Sequence, residues 1–225
     1  MLWPENDPSS ARGGLRRTLS EIKGVLGEGW LTADREHAQL TPNKSTENLL
    51  SLDVAIFQEK LKRCEAHHHQ PTIICYECLL TLEDAVELYM GDFMAGFCLK
   101  NCPDYDEWQF FQADALRREL AGALRRLALW HSGQREFELA VGYNKRWLGL
   151  DPLDEQAHKA LMRLYAWSGQ RPAALRQYQA CVQILEEQVG VPPQETTMQL
   201  YQAIEEGRVP PLPVPGRRSD LCSQR

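Results

Sequence analysis

Between Leu116 and Leu185 the sequence carries four apolar stripes with helical spacing, and the stripes repeat with a period of about 34 residues. Small residues recur where two paired helices would cross. The positions one period apart are Ala123 and Ala157, Leu127 and Leu161, Trp130 and Leu164, Ala140 and Ala174, and Val141 and Leu175. This is the tetratricopeptide pattern, so we predict an all-α fold built from tetratricopeptide-like helical repeats.

Proline and glycine predict where these helices end. An Asp-Pro pair at Asp151 stops the second stripe, Gly169 marks the turn before the fourth, and Gly190 ends the fourth. Gly133 and Gly169 do not have the repeat offset, so we expect an irregular turn in the first unit. Two units cannot form a stable solenoid alone, so flanking helices are needed as caps. The candidate segments are residues 53–64, 79–90 and 196–206.

Composition is that of a globular protein and gives no sign of a membrane protein. Apolar residues make up 43% of the 225 residues, and no run reaches the roughly 18 to 20 consecutive apolar residues of a membrane helix. The start lacks the basic-then-apolar order of a signal peptide, so we predict a cytoplasmic protein without membrane contact. Seven cysteines suit free thiols or a metal site better than a disulfide framework.

The formal net charge of -6 argues against general attraction to nucleic acid, but the N-terminal region departs from this average. Between Ser10 and Gly27 the acidic Glu21 is outnumbered by basic residues. These are Arg12, Arg16, Arg17 and Lys23. We predict that Ser10 caps a helix there. Its apolar side would be Leu15, Leu19, Ile22 and Leu26.

Several separated segments resemble the bacterial transcriptional activator domain, the helical-repeat module of antibiotic-regulatory-type and related large bacterial activators. They stand in the family's order and together extend over residues 49–207. The segments are LYMGDFMAGF at residues 88–97, Asp106 to Trp108, ALRREL at residues 115–120, and residues 150–179 and 189–204. The resemblance implies a regulatory protein that catalyses no reaction.

In that family the module follows a winged helix of the response-regulator type, and the N-terminus here resembles the second half of one. Residues 2–27 are similar to a turn and recognition helix, and residues 29–42 to the wing hairpin. The resemblance implies DNA contacts where the winged helix is complete. The residues concerned are Arg12, Arg16, Arg17, Lys23 and Arg35.

We therefore predict three regions: a partial winged-helix DNA-binding domain at residues 1–45, the activator domain at 46–207, and a proline-rich linker or tail at 208–225. The N-terminal half of the winged helix is expected to be missing. The chain is then either a piece of a longer product or a form that has lost DNA binding.

The aromatic segment LYMGDFMAGF is interpreted as core that closes the space between the first helix pair and the repeats. Gly91 and Gly96 would permit tight turns in it. The alternative is a ligand groove.

The segment HHHQPTIICYEC predicts a structural zinc site. Cys75 and Cys78 supply two thiolates at Cys-x-x-Cys spacing, and His67 and His69 would complete a tetrahedral set. We identify no second paired spacing of the usual finger type, so a solvated histidine loop is the alternative. No other cofactor is predicted. A catalytic cysteine would need a positioned base and an oxyanion site, which the sequence does not supply, so we predict that the chain is not an enzyme.

The leading functional hypothesis is a DNA-binding transcriptional activator. Promoter DNA is the predicted partner of the winged helix. The repeats would mediate self-association as a homodimer or contact the transcription machinery. The alternative is a module without DNA binding whose repeats hold a peptide or a partner helix. Four arginines of one helix are interpreted as its solvated outer face, with DNA phosphates or polymerase as alternative partners. They are Arg117, Arg118, Arg125 and Arg126.

Overall fold

A computed structural model of the chain describes residues 5–27, 29–34, 36–40, 51–67, 74–209 and 211–212. Helices dominate this part of the chain, which confirms the all-α class, and one short antiparallel sheet accompanies them. The elements are α1 Pro8–Leu26, β1 Leu31–Ala33, β2 Ala38–Leu40, α2 Asp53–Ala66, α3 Tyr76–Leu88, α4 Pro103–Gly133, α5 Phe137–Leu150, α6 Glu155–Trp167, α7 Arg171–Val189 and α8 Glu195–Glu205. Within the described ranges, none of the helices has the length and apolar character needed to cross a membrane.

The chain divides into two compact units, residues 1–56 with 91–115, and residues 57–90 with 116–225. The first unit contains α1 and the hairpin of β1 and β2, in which Leu31 pairs with Leu40. The predicted helix and the predicted hairpin are therefore both present. The predicted cap of the helix was wrong. Asp7 takes that place, because its carboxylate accepts the amide hydrogens of Ser9 at 2.9 Å and Ser10 at 3.2 Å.

The second unit contains the helical repeat. Every residue of the first predicted apolar stripe is buried, and so are several apolar residues in each of the next three helices. The buried positions are Leu116, Leu120, Ala123, Leu124, Leu127 and Trp130 in α4, Ala140 in α5, Ala157, Leu161 and Leu164 in α6, and Ala174, Cys181 and Leu185 in α7. Helices α5, α6, α7 and α8 pack in chain order, as stacked helix pairs require.

The turn after α4 keeps the repeat period without a glycine, so the expectation of an irregular first turn was wrong. Arg135 adopts a left-handed φ of 63°, and Gly169, one period later, has a φ of 77°. The hydrogen bonds agree. Arg135 N–H donates to Ser132 O at 3.0 Å, and Gly169 N–H to Ala166 O at 3.1 Å. The next amide in each turn reaches back five residues, from Glu136 to His131 and from Gln170 to Tyr165. The left-handed residue, whether glycine or not, is what repeats.

Helix α8 caps the repeat at the C-terminal side, as predicted, and a charged side chain of α6 holds its first turn. The Glu155 carboxylate accepts the Gln194 amide hydrogen at 2.9 Å and the Thr197 hydroxyl hydrogen at 2.6 Å. Gln194, the N-cap residue of α8, makes no capping bond with its own side chain. Glu155 therefore supplies the acceptor that an N-cap side chain would otherwise supply, and it joins α6 to α8.

Helices α2 and α3 overlap the other two predicted capping segments, although α2 ends two residues later than predicted and α3 begins three residues earlier. The Lys60 ammonium of α2 pairs with the Asp84 carboxylate of α3 at 2.9 Å. Arg146 of α5 donates hydrogen bonds to the backbone carbonyls of Val86 and Tyr89, at the end of α3. Both helices contribute buried apolar side chains, among them Leu79, Leu82 and Val86 of α3.

The aromatic segment at residues 88–97 is not core, so that interpretation was wrong. Met90 is 93% exposed and Phe97 48% exposed, and no residue of the segment is buried. In the first unit its aromatic rings pack instead on the first turns of α4. Phe93 meets Trp108 edge-on at 5.7 Å between ring centroids, and Phe97 meets Tyr105 at 5.8 Å. Gly96 does supply a left-handed residue (φ 80°), whereas Gly91 does not.

Alanine substitution at two glycines should change the free energy of unfolding in opposite directions, because Gly169 stands in a left-handed turn and Gly142 does not. Gly169→Ala should lower the free energy of unfolding by about 1 kcal/mol, because an L-residue is strained at this φ. Gly142→Ala, in the middle of α5, should raise it by about 0.5 to 1 kcal/mol through helix propensity. An added Cβ meets no atom within 4 Å at either position, so steric clash does not enter the comparison.

Arg135→Gly should raise the free energy of unfolding by about 0.5 kcal/mol, because glycine relieves the strain of the left-handed residue. Urea titrations followed by circular dichroism measure all three changes. A destabilising Arg135→Gly, or equal effects at Gly169 and Gly142, would contradict the conformation assigned to these turns.

Candidate functional site

The basic residues predicted to contact DNA lie together on α1. Arg12, Arg16, Arg17 and Lys23 are all exposed, and α1 contains no buried residue. Arg35, the remaining predicted contact, lies outside the described residues. The apolar side of α1 is also accessible. Leu15, Ile22 and Leu26 are 38%, 39% and 43% exposed.

The repeat unit contains a pocket of ≈ 180 Å³ between α4, α5 and α6. Its walls are mostly apolar, with two tryptophans, and its polar groups come from all three helices. The lining residues are Arg125, Ala128, Leu129, Ser132, Asn144, Trp147, Gln156, Ala160, Arg163, Leu164 and Trp167. Of these lining residues, sequence analysis singled out Arg125, as part of a solvated outer face, and it predicted no site here.

Asn144 is the pocket's buried polar group. Its side chain is fully buried, and its amide nitrogen donates to Ala157 O at 2.8 Å, which ties α5 to α6. Its Oδ1 atom is buried with no hydrogen-bond partner among the described residues. A buried carbonyl oxygen without a donor costs about 1 to 3 kcal/mol relative to a satisfied one. A ligand with an N–H group would recover that energy.

Two arginines give the pocket its charge. Neither Arg125 nor Arg163 forms an ion pair or a hydrogen bond within the part of the chain that the structure describes. Burial lowers the pKa of Arg163, since the guanidinium has lost part of its hydration without gaining a counter-ion. The pocket therefore offers uncompensated positive charge beside apolar walls, an arrangement suited to a carboxylate or another oxyanion with an apolar neighbour.

The predicted metal ligands come together in part. His67, Cys75 and Cys78 place their ligand atoms within 4.8 Å of one another. His67 Nδ1 lies 3.4 Å from Cys75 Sγ and 3.3 Å from Cys78 Sγ. The hydrogen bond with Cys75 raises the pKa of the His67 imidazole. His69, the fourth predicted ligand, lies outside the described residues.

Cys64, at the end of α2, was missed as a neighbour of this cluster. Its Sγ donates to Cys78 O at 3.7 Å, and Cys78 Sγ donates to Cys64 O at 3.9 Å. Contact with the Cys78 thiol, and then the charge of Arg126, hold the pKa of the Cys64 thiol below its ordinary value. The signal was available in the sequence, because Cys64 and His67 form a Cys-x-x-His pair ahead of Cys75-x-x-Cys78.

Comparison with known proteins gives a family and a fold. The family model described as "Bacterial transcriptional activator domain" matches residues 52–205. A search of the curated proteins finds no match. Among solved structures, Mycobacterium tuberculosis EmbR, determined in complex with a low-affinity phosphopeptide, has a TM-score of 0.62 at 17% identity. The aligned part is 93% of this chain and 53% of the EmbR chain, so the chain spans about half of that protein's length.

If Arg163 is present for a ligand, its removal should not weaken the fold. We expect Arg163→Met to raise the free energy of unfolding by about 0.5 to 1 kcal/mol, because a partly desolvated charge without a partner is replaced by an apolar chain of similar length. Arg176→Met, at an exposed position of α7, is the matched control and should change stability by less than about 0.5 kcal/mol. Destabilisation by Arg163→Met beyond the control would indicate that the guanidinium supports the fold itself.

Proposed function

The chain belongs to the bacterial transcriptional activator domain family, and from this premise we propose that it acts in a DNA-binding transcriptional regulator. Within one chain, a repeat module of that family is preceded by an exposed basic helix and an antiparallel hairpin. This succession is the observation that carries the proposal, because a recognition helix followed by a hairpin wing is a DNA-binding arrangement.

In this proposal α1 enters the major groove of promoter DNA. Arg12, Arg16 and Lys23 occupy neighbouring positions on one side of the helix, at spacings of four and seven residues, and Arg17 lies beside them. Guanidinium and ammonium groups on such a stripe reach phosphates and base edges. The formal net charge of -6 does not prevent these contacts. Repulsion between DNA phosphates and acidic residues is screened beyond about 8 to 10 Å at physiological salt.

The pocket of the repeats has a separate role in this proposal, as the place where a protein partner docks. Its occupant would be an acidic segment of a partner protein, with a carboxylate between Arg125 and Arg163 and a backbone N–H on Asn144 Oδ1. The support is the match between that ligand and the pocket's unpartnered groups, two guanidiniums and one buried oxygen. Trp147 and Trp167 would cover the neighbouring apolar atoms.

We expect the natural full-length product to bind promoter DNA with an affinity that falls steeply with salt. The double variant Arg16→Ala/Arg17→Ala should reduce the slope of log affinity against log salt by about 2, if each guanidinium neutralises one phosphate. The control removes two exposed charges from the repeats, Lys145→Ala/Arg176→Ala, and should leave the slope unchanged. Fluorescence anisotropy with labelled DNA measures both. Equal affinity for promoter and unrelated DNA, without salt dependence, would contradict DNA recognition.

Docking in the pocket is tested with an array of overlapping peptides from the RNA polymerase subunits and σ factors of the source organism. Bound peptides should be acidic, and Arg163→Met should weaken their binding about 10-fold or more, because a charge-assisted hydrogen bond is lost. Arg176→Met should have no effect. Since EmbR was solved with a phosphopeptide, each peptide is also tested in phosphorylated form. Binding of basic or neutral peptides, or equal binding by both variants, would refute this role.

A further inference from the structure

We propose that Cys64, His67, Cys75 and Cys78 form a structural Zn²⁺ site that joins the end of α2 to the start of α3. The set differs from the one predicted from sequence, because Cys64 replaces His69. It requires nothing of the DNA-binding or docking roles proposed above, and its outcome is independent of them.

The spacing is that of two ligand pairs. Cys64-x-x-His67 lies at the C-terminal end of α2, and Cys75-x-x-Cys78 opens α3. Paired ligands two residues apart on both sides of a connecting segment are the usual sequence form of a tetrahedral zinc site. The second paired spacing that a zinc site of this type needs is therefore present.

The distances match a shared ion. With Zn–S bonds of about 2.3 Å and Zn–N bonds of about 2.0 Å in tetrahedral geometry, sulfur and nitrogen ligands stand about 3.5 Å apart. The observed separations from His67 Nδ1 are 3.4 Å to Cys75 Sγ and 3.3 Å to Cys78 Sγ. Cys64 Sγ stands outside the set of ligand atoms that lie within 4.8 Å of one another, but it is 3.7 Å from Cys78 O at the edge of that set. The proposal therefore includes a movement of the Cys64 side chain toward the ion when zinc binds.

Hydrogen bonding alone does not account for the cluster as well as a metal ion does. His67 Nδ1 carries either one hydrogen or one lone pair, so it forms one good hydrogen bond and not two with sulfurs at nearly equal distance. A cation at the centre interacts with every ligand at once. Cys75 is also positioned to bind a metal ion as a thiolate. It is the N-cap of α3, where its Sγ accepts the Cys78 amide hydrogen at 3.5 Å. Amide hydrogens and a helix N-terminus both stabilise thiolates.

Arg126 supplies an independent observation from α4. Its Nε atom is buried without a hydrogen-bond partner among the described residues, and its charge acts on Cys64. Three thiolates and one neutral imidazole around Zn²⁺ carry a net charge of −1, so a half-buried guanidinium near them is electrostatically favourable. The same guanidinium beside three neutral thiols would be a partly buried charge with no counter-ion.

A set of four protein ligands leaves no open position for water or substrate, so the role is structural. The ion would fix the end of α2 against the start of α3 across the connection between them. Since α2 and α3 lie in the segments predicted to cap the repeat, loss of zinc should destabilise that side of the repeat unit.

The test begins with the untagged full-length chain, purified without chelators and analysed for metal. We expect stoichiometric zinc and resistance of Cys64, Cys75 and Cys78 to alkylation until a chelator is added, while Cys98, which is exposed, reacts at once. Folded protein without zinc, in which Cys75 and Cys78 are alkylated freely or joined as a disulfide, would overturn the proposal.

Three variants separate the two ligand sets. Cys64→Ala should weaken zinc binding about 100-fold, as removal of a first ligand does at least as much as loss of its outer partners. His69→Ala should leave it unchanged, and Cys98→Ser is the matched cysteine control. If His69→Ala releases zinc and Cys64→Ala does not, the set predicted from sequence is correct and this one is not.

Cobalt gives a reading that does not depend on whether Cys64→Ala folds. Co²⁺ in the wild-type site should show tetrahedral d–d bands and thiolate charge-transfer intensity for three sulfurs. In a folded Cys64→Ala variant the charge-transfer intensity should fall by about a third, in line with one thiolate fewer. Wild-type intensity corresponding to two sulfurs would exclude Cys64 as a ligand.

Discussion

The left-handed turn between paired helices is the constraint on which the repeat unit depends. It reverses the chain so that the second helix of a pair can lie against the first, and three alanines one repeat helix apart are completely buried in this packing. Ala140, Ala157 and Ala174 are each 0% exposed. A larger side chain at these positions would push the helices apart, because a packed interior has no room to absorb extra methylenes. The turn geometry and the alanines therefore specify the same helix separation, one through the backbone and the other through packing.

The pocket lies where α4, α5 and α6 approach one another without filling the space between them. The two ends of the Asn144 side-chain amide differ in their hydrogen bonding. Its amide nitrogen holds α6 through Ala157 O, while its Oδ1 is buried without a donor among the described residues. An apolar residue would fill the same space without leaving that atom unsatisfied. The free-energy cost of the unsatisfied Oδ1 is explained if Asn144 serves recognition, since a polar group without a partner in the free protein gains a hydrogen bond when the ligand binds.

The repeat and its capping helices could be predicted because they follow from periodicity and from the residues that end helices, and the hairpin was expected from the family resemblance. The first turn could not, because Arg135 holds a conformation that sequence reasoning reserves for glycine. The aromatic segment at residues 88–97 was misread because aromatic density signals burial in general and does not say how much of each ring is covered. Cys64 was missed for another reason. It lies within a helical stripe, where a cysteine fits as a small apolar residue, and only the contact between α2 and α3 places it beside Cys78.

The Arg125-Arg126 doublet shows why neighbouring identical letters need a structure to be understood. Successive residues of a helix differ by about 100° in direction, so the two guanidiniums leave α4 on different sides. Arg125 lines the pocket, and Arg126 has its Nε buried near Cys64. The prediction that both belong to a solvated outer face fails for Arg126. Arg125 is exposed and keeps its hydration, whereas the buried Nε of Arg126 lacks a partner among the described residues, which is costly in low-dielectric surroundings. The anion proposed for Arg125 is a partner's carboxylate, and the one proposed for Arg126 is a thiolate-rich metal site.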